Sequence, residues 1–154
     1  MQFDNELIEH MANPKNYGSM DDADAIGIGE NPQNGEKVII YLRVNEKDGE
    51  SPLIEDIAFQ AIGCMTTVVA GSIITGEAKG IDFDVAEQLV AVTLGMLENV
   101  APEEAACSEM VALSLKAAMD TYSRRKEEPD LPAMIYKIEN NCVTENSDNG
   151  GENR

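Results

Sequence analysis

The sequence predicts an α+β domain: a small antiparallel sheet of about three strands packed against several helices. Three observations predict it. Residues 37–44 (KVIIYLRV) and 53–62 (LIEDIAFQAI) carry strand-like alternation and β-branched enrichment. Apolar residues recur at helical spacing between residues 68 and 122. Gly, Asn, Asp and Pro cluster in the connections.

In chain order, Asp4 or Asn5 caps a short opening helix in which Leu7, Ile8 and Met11 share a face, and Pro14 halts it. Residues 13–36 read mainly as loop, with a weak strand at 25–29. Lys47-Asp48-Gly49 supplies turn chemistry between the two clear strands. After Gly63, Val68, Val69, Ile73 and Ile74 recur at helical spacing until Gly80, so Cys64 sits where a strand gives way to a helix. Asp82 or Asp84 caps the next helix, with Val85, Leu89, Val92 and Leu97 apolar. Pro102 begins another, with Val111, Leu115, Ala118 and Tyr122 along one stripe. Cys107 falls in the first turns of that helix, where peptide dipoles favour a thiolate. Arg124, Arg125 and Lys126 suit the helix end, Pro129 and Pro132 break the chain, and residues 133–138 pack back as a short element.

At 154 residues the chain suits one domain, placed at 1–138, with a core large enough to need no disulfides. Residues 139–154 are too polar to bury and read as a disordered tail. Eleven Lys and Arg stand against 29 Asp and Glu, a formal charge of −18 that repels phosphate backbones and anionic lipids, which argues against nucleic-acid or membrane-surface binding. The same charge suits a solvated surface, a basic partner protein or a cation. No apolar run is long enough to span a bilayer, and Asp4, Glu6 and Glu9 stand where a secretory signal needs positive charge, so a cytoplasmic protein is expected. Three scattered cysteines suit reduced thiols. The eight methionines read as core filling or partner surface.

Three strings resemble, in order and spacing, the IscU/NifU-type iron–sulfur cluster assembly scaffold family. They are LIEHMANPKNYG at 7–18, IEDIAFQAIGC at 54–64 and Ala106-Cys107-Ser108 opening a long helix; the resemblance covers roughly residues 7–126. It implies the NifU N-terminal fold and a scaffold or carrier, not an enzyme, that holds iron and sulfide as a cluster, 2Fe-2S being the expected type. A cysteine desulfurase and apo-protein recipients are the implied partners. Cys64 matches the family's second ligand cysteine and Cys107 its third. Asn34 stands at the first cysteine's position, Glu36 at that of an aspartate, Ala106 at that of a histidine and Glu104 at that of a basic residue. The resemblance therefore implies cofactor binding by Cys64 and Cys107, with Glu36 as a further metal ligand. His10 matches a family position outside the metal site and is assigned to structure.

Two thiolates fall short of the four protein ligands a cluster normally takes, or of a closed structural zinc shell. A second copy of the chain in a homodimer would supply two more. Glu36 offers a carboxylate oxygen acceptable to iron or zinc, whereas the Asn34 amide is a poor ligand and Asn34-Gly35 reads rather as a tight turn. Cys142 belongs to the tail and reads as a bystander. Two alternatives stay open: a fold-retaining adaptor or regulator that binds no cluster, and a zinc-bound sulfur acceptor using Glu36, Cys64 and Cys107. The chaperone step implied by the resemblance is not carried over. Family members that use an Hsp70-type chaperone have a Leu-Pro-Pro-Val-Lys string, and Val100-Ala101-Pro102-Glu103-Glu104 keeps one proline and reverses a charge.

Overall fold

Strand β1, Ala25–Glu30, places Ala25, Gly27 and Gly29 on its buried side, so it carries almost no side-chain bulk toward the core. That bareness is filled by a helix backbone. In this computed structural model, which describes residues 5–47, 49–63 and 65–138, helix α4 (Pro102–Arg125) lies directly on β1. A β-carbon on Gly27 would lie 2.0 Å from the Ala118 nitrogen, and one on Gly29 would lie 2.2 Å from the Met110 carbonyl oxygen. Only glycine permits such an approach within a strand. Because Gly27 meets residues 114–118 and Gly29 meets 110–114, α4 runs antiparallel to β1, with its N-terminus beside the Glu30 end of the strand.

The sheet has four strands in the order β3-β2-β1-β4, with β2 at Lys37–Asn45, β3 at Leu53–Ile62 and β4 at Met134–Lys137. β1, β2 and β3 form the expected antiparallel unit. The expectation of about three strands is corrected by β4, which pairs parallel to β1 and makes the sheet mixed. Residues 133–138 do pack back after the prolines, and the main chain decides how, since the Ile138 amide donates to the Glu30 carbonyl at 3.0 Å. In β3, Ile54, Ile57 and Phe59 are all buried although Ile54 and Ile57 are three apart; a bulge opposite Arg43 and Val44 restores the phase. Gly49, at φ 78°, makes the turn expected between β2 and β3, where the Glu50 amide donates to the Lys47 carbonyl; Asp48 lies outside the described residues.

The helices cover one face of the sheet. Helix α2 (Met65–Ala78) packs on β3 and α4, and helix α3 (Phe83–Met96) packs on α4. Val38, Ile40, Leu42, Ile57, Phe59, Val111 and Leu115 form the centre of a single core cluster. Each such side chain contributes about 1.5–3 kcal/mol of burial free energy. The stripe expected on α4 is present: Val111, Leu115 and Ala118 are fully buried, and Tyr122 packs edge-on against Phe83. Asp82 is the α3 cap, accepting from the Val85 amide at 2.9 Å. Among the described residues no helix is long and apolar enough to cross a membrane. The tail at 139–154 and Asp4 lie outside the described residues.

One expected helix face is corrected, that of the opening helix, and the structure defines those of α2 and α3. Helix α1 (Asn5–Ala12) leaves Ile8 and Met11 exposed and buries His10. The imidazole Nδ1 of His10 is 2.6 Å from Ser72 Oγ, which also accepts from the Lys15 amide at 2.7 Å, while Asn16 donates to Thr75 Oγ1 at 3.1 Å. The docking is polar, which an apolar-periodicity count does not detect. In α2 the buried side is small and hydroxylic, including Thr67, Gly71, Ser72 and Thr75, and Ile73 faces out. Gly71 is needed there because the Phe59 ring occupies the place of its β-carbon. In α3 the buried residues are Phe83, Ala86 and Val90, whereas Val85 and Val92 are exposed.

Far along α4 from its N-terminus, two phenols tie the helix to neighbouring segments. Tyr122 Oη donates to Glu46 at 2.6 Å, and Tyr136 Oη donates to Asp120. Burial and then these carboxylate acceptors push both phenols up to about 12. The folded value lies above the unfolded one of about 10, so this contribution to stability is whole below pH of about 10 and is lost as pH rises through about 12. Alkaline titration of phenolate absorbance in the folded chain should show a component near 12 that shrinks in Tyr122→Phe; titration of every phenol near 10 would contradict these hydrogen bonds. Gly27→Ala should destabilise the chain by about 3 kcal/mol in urea unfolding, since no flexible side chain can move aside.

Candidate functional site at the N-terminal end of α4

Two local constructions meet at one end of the sheet. The first is the loop between β1 and β2. The buried Asn31 accepts the Gly35 amide on its carbonyl (2.9 Å) and the Gln33 amide on its side chain (3.0 Å), and its own amide donates to the Glu36 carbonyl at 2.8 Å. Asn34 Oδ1 accepts from the Glu36 amide at 2.9 Å, and Gly35 adopts φ 78°. The turn expected of Asn34-Gly35 is therefore formed, and the Asn34 side chain closes it.

The second construction is the end of the β2–β3 ladder. Lys37 pairs with Ile62, which sets Glu36 beside Gly63. Gly63 has φ 159°, and a β-carbon there would lie 3.0 Å from Glu36 Cδ and 3.3 Å from Glu36 Oε1. The Glu36 carboxylate thus packs against the backbone of the residue immediately before Cys64. Cys64 itself, like Cys142, lies outside the described residues. Its neighbours on both sides face solvent: Ile62 is 57% and Met65 51% exposed.

Cys107 approaches the same end from α4. It is 7% exposed, flanked by the buried Ala105 and Ala106, one turn beyond Met110 toward the N-terminus. Since Met110 lies over Gly29, the antiparallel run of α4 carries Cys107 toward the Glu30 end of β1, where the 31–36 loop begins. Cys107 is in the second turn of α4, and the dipole acts mainly within the first, so the help expected from the helix terminus is weak. Ala101 provides no side-chain cap. Ala106, at the position where the resemblance expects a histidine, belongs to the core. The Glu104 side chain is not among those described.

The structure therefore brings Glu36, Gly63 and the Cys107 turn of α4 to one pole, and it keeps His10 in its bond to Ser72. Among the described residues no three His, Cys, Asp or Glu side chains form a group able to hold a metal ion, a set that does not include Cys64. Sequence reasoning missed two features of the pole: the contact of Glu36 with Gly63, and the depth of Cys107. The Gly before Cys64 was a signal for the first. Nothing in the string Ala105-Ala106-Cys107 distinguishes a buried thiol from an exposed one.

Known proteins resemble this chain in sequence and in fold. The model of the NifU-like N terminal domain matches residues 2–129. An iron–sulfur cluster assembly scaffold protein IscU of Archaeoglobus fulgidus is 33% identical over 132 residues, 83% of this chain and 81% of its own. The scaffold protein IscU of Escherichia coli is 27% identical over 130 residues, covering 82% of this chain and 98% of its own. Among solved structures, the N-terminal part of a NifU-like protein from Brucella abortus superposes with a TM-score of 0.63 at 16% identity, over 80% of this chain and 95% of that one, which speaks for the fold. With the family model spanning most of the sequence and the mixed sheet and helices in agreement with it, this chain belongs to the NifU-like N-terminal domain family.

Proposed function

We propose that this protein is an iron–sulfur cluster assembly scaffold or carrier whose cargo is held at the pole by the thiolates of Cys64 and Cys107, with the Glu36 carboxylate as a further ligand. The observation that carries the reading is the contact between Glu36 and Gly63 at the end of the β2–β3 ladder, on the side of the sheet toward which α4 carries Cys107. Thiolates are soft donors suited to iron–sulfur clusters and zinc, and a carboxylate is acceptable to either metal. The Asn34 amide is committed to its turn and takes no part. Relatives named as IscU scaffold proteins support the same activity. The work is binding and carriage in place of turnover. A cysteine desulfurase supplies sulfur, apo-proteins receive the cluster, a 2Fe-2S cluster is the cargo type and the cytoplasm is the compartment. A site with three donors from one chain holds its cargo loosely, which suits transfer.

The burial of Cys107 and the locking of Asn34 favour a second reading, an adaptor that keeps the fold and binds no cluster. Zinc held by the same three residues as a sulfur acceptor is the remaining one. Anaerobic purification followed by iron, zinc and acid-labile sulfide analysis separates them. The scaffold reading expects iron and sulfide together, falling to background in Cys64→Ser and in Cys107→Ser while circular dichroism stays unchanged. Zinc without sulfide would replace it with the acceptor, and absence of both metals after reconstitution would replace it with the adaptor.

A further inference from the structure

Asn31 is 4% exposed, and half of its side chain is unmatched. Its Oδ1 accepts the Gln33 amide at 3.0 Å, whereas Nδ2, which carries two N–H donors, has no acceptor among the described residues. Buried donors are ordinarily satisfied, so one left over calls for a group that arrives from outside the chain. The loop does not need this nitrogen, because the turn is closed by the Asn31 oxygen, the Asn34 oxygen and the main chain.

Its position says which group. Asn31 follows Ala25, Gly27 and Gly29 in the alternation that puts every second residue of this segment on the buried side, beneath α4. The Ser114 carbonyl lies over Gly27 and the Met110 carbonyl over Gly29, so the same step of four residues carries Ala106 over Asn31, with Cys107 next in the chain. Within the sheet, the Asn31 main-chain amide donates to the Glu36 carbonyl, and the Glu36 side chain lies against Gly63. Asn31, Glu36 and Gly63 therefore form one row across the end of the sheet, below the Cys107 turn. At that place the proposed cargo brings electron-rich sulfur, as thiolate or sulfide, which accepts N–H donors. We infer that Asn31 is a further residue of the cargo site, its Nδ2 donating to a sulfur of the bound cargo. This role rests on the reading of the pole as a cargo site and adds to it the group that orients and tunes the sulfur.

The test uses the full chain under anaerobic conditions, with zinc(II) and cobalt(II) as probes. Asn31→Asp keeps an oxygen for the Gln33 amide and removes both donors, so it separates the donor from the turn. In isotope-labelled wild-type chain, the NMR signals of the Asn31 side-chain amide, assigned by their absence in Asn31→Asp, should shift when zinc binds. In Asn31→Asp, cobalt affinity should fall by about tenfold, the lower end for a residue that orients a metal ligand. The thiolate-to-cobalt absorption should also move to longer wavelength, since a sulfur without its N–H donor gives up an electron more easily. The Gln33 amide signal should keep its place, which reports an intact turn; if the variant loses the turn, the zinc-dependent shift of the wild-type signals decides alone. Asn31 signals that stay fixed while zinc binds, or an Asn31→Asp chain with wild-type affinity and band position, would overturn the inference and leave the cargo site standing. Failure of the wild-type chain to bind either metal would remove the cargo site, and this role of Asn31 with it.

Discussion

The close seating of α4 on the glycines of β1 is the constraint on which the rest of the molecule depends. With Gly27 and Gly29 under the backbone of residues 110–118, the helix has one position and one direction available. That direction sends the start of α4 to the edge where β1 ends, β2 begins and β3 ends. Three segments distant in sequence are thereby brought toward one end of the sheet. A bulkier strand would push α4 outward and carry the Cys107 turn away from Glu36 and Gly63.

As the proposed cargo site, this pole is an unusual one. Cys107 is buried, and the Glu36 carboxylate packs against Gly63. The loop that carries Asn34 is closed by four main-chain amides, two of which donate to side-chain oxygens, so it forms a held rim. In the proposed scaffold, a held rim on one side and few donors on the other suit a protein that must give up what it holds.

Much of this was legible in the residues, and the exceptions have physical causes. The two long strands, the turn at Gly49, the Asp82 cap and the stripe on α4 follow from local patterns that tertiary contacts reinforce. β4 did not, because four residues with half their side chains exposed carry little periodicity and gain their place from pairing with β1. The buried face of α1 was misassigned because His10 docks through a hydroxyl. At the site, the Asn34-Gly35 turn and the place of Cys107 on its helix were legible in the residues, whereas a ligand role for Glu36 came only through resemblance to a known family. Their proximity is a consequence of strand register and helix direction, which no single segment encodes.

The central claim is that Cys64 and Cys107 act on the same ion, and cobalt(II) reports it directly. In a Cys142→Ser chain under anaerobic conditions, thiolate-to-cobalt charge-transfer absorption should appear on titration, and its intensity per bound cobalt should fall by about half when either Cys64 or Cys107 is changed to Ser. A band that neither substitution alters, or no thiolate band at all, would contradict it.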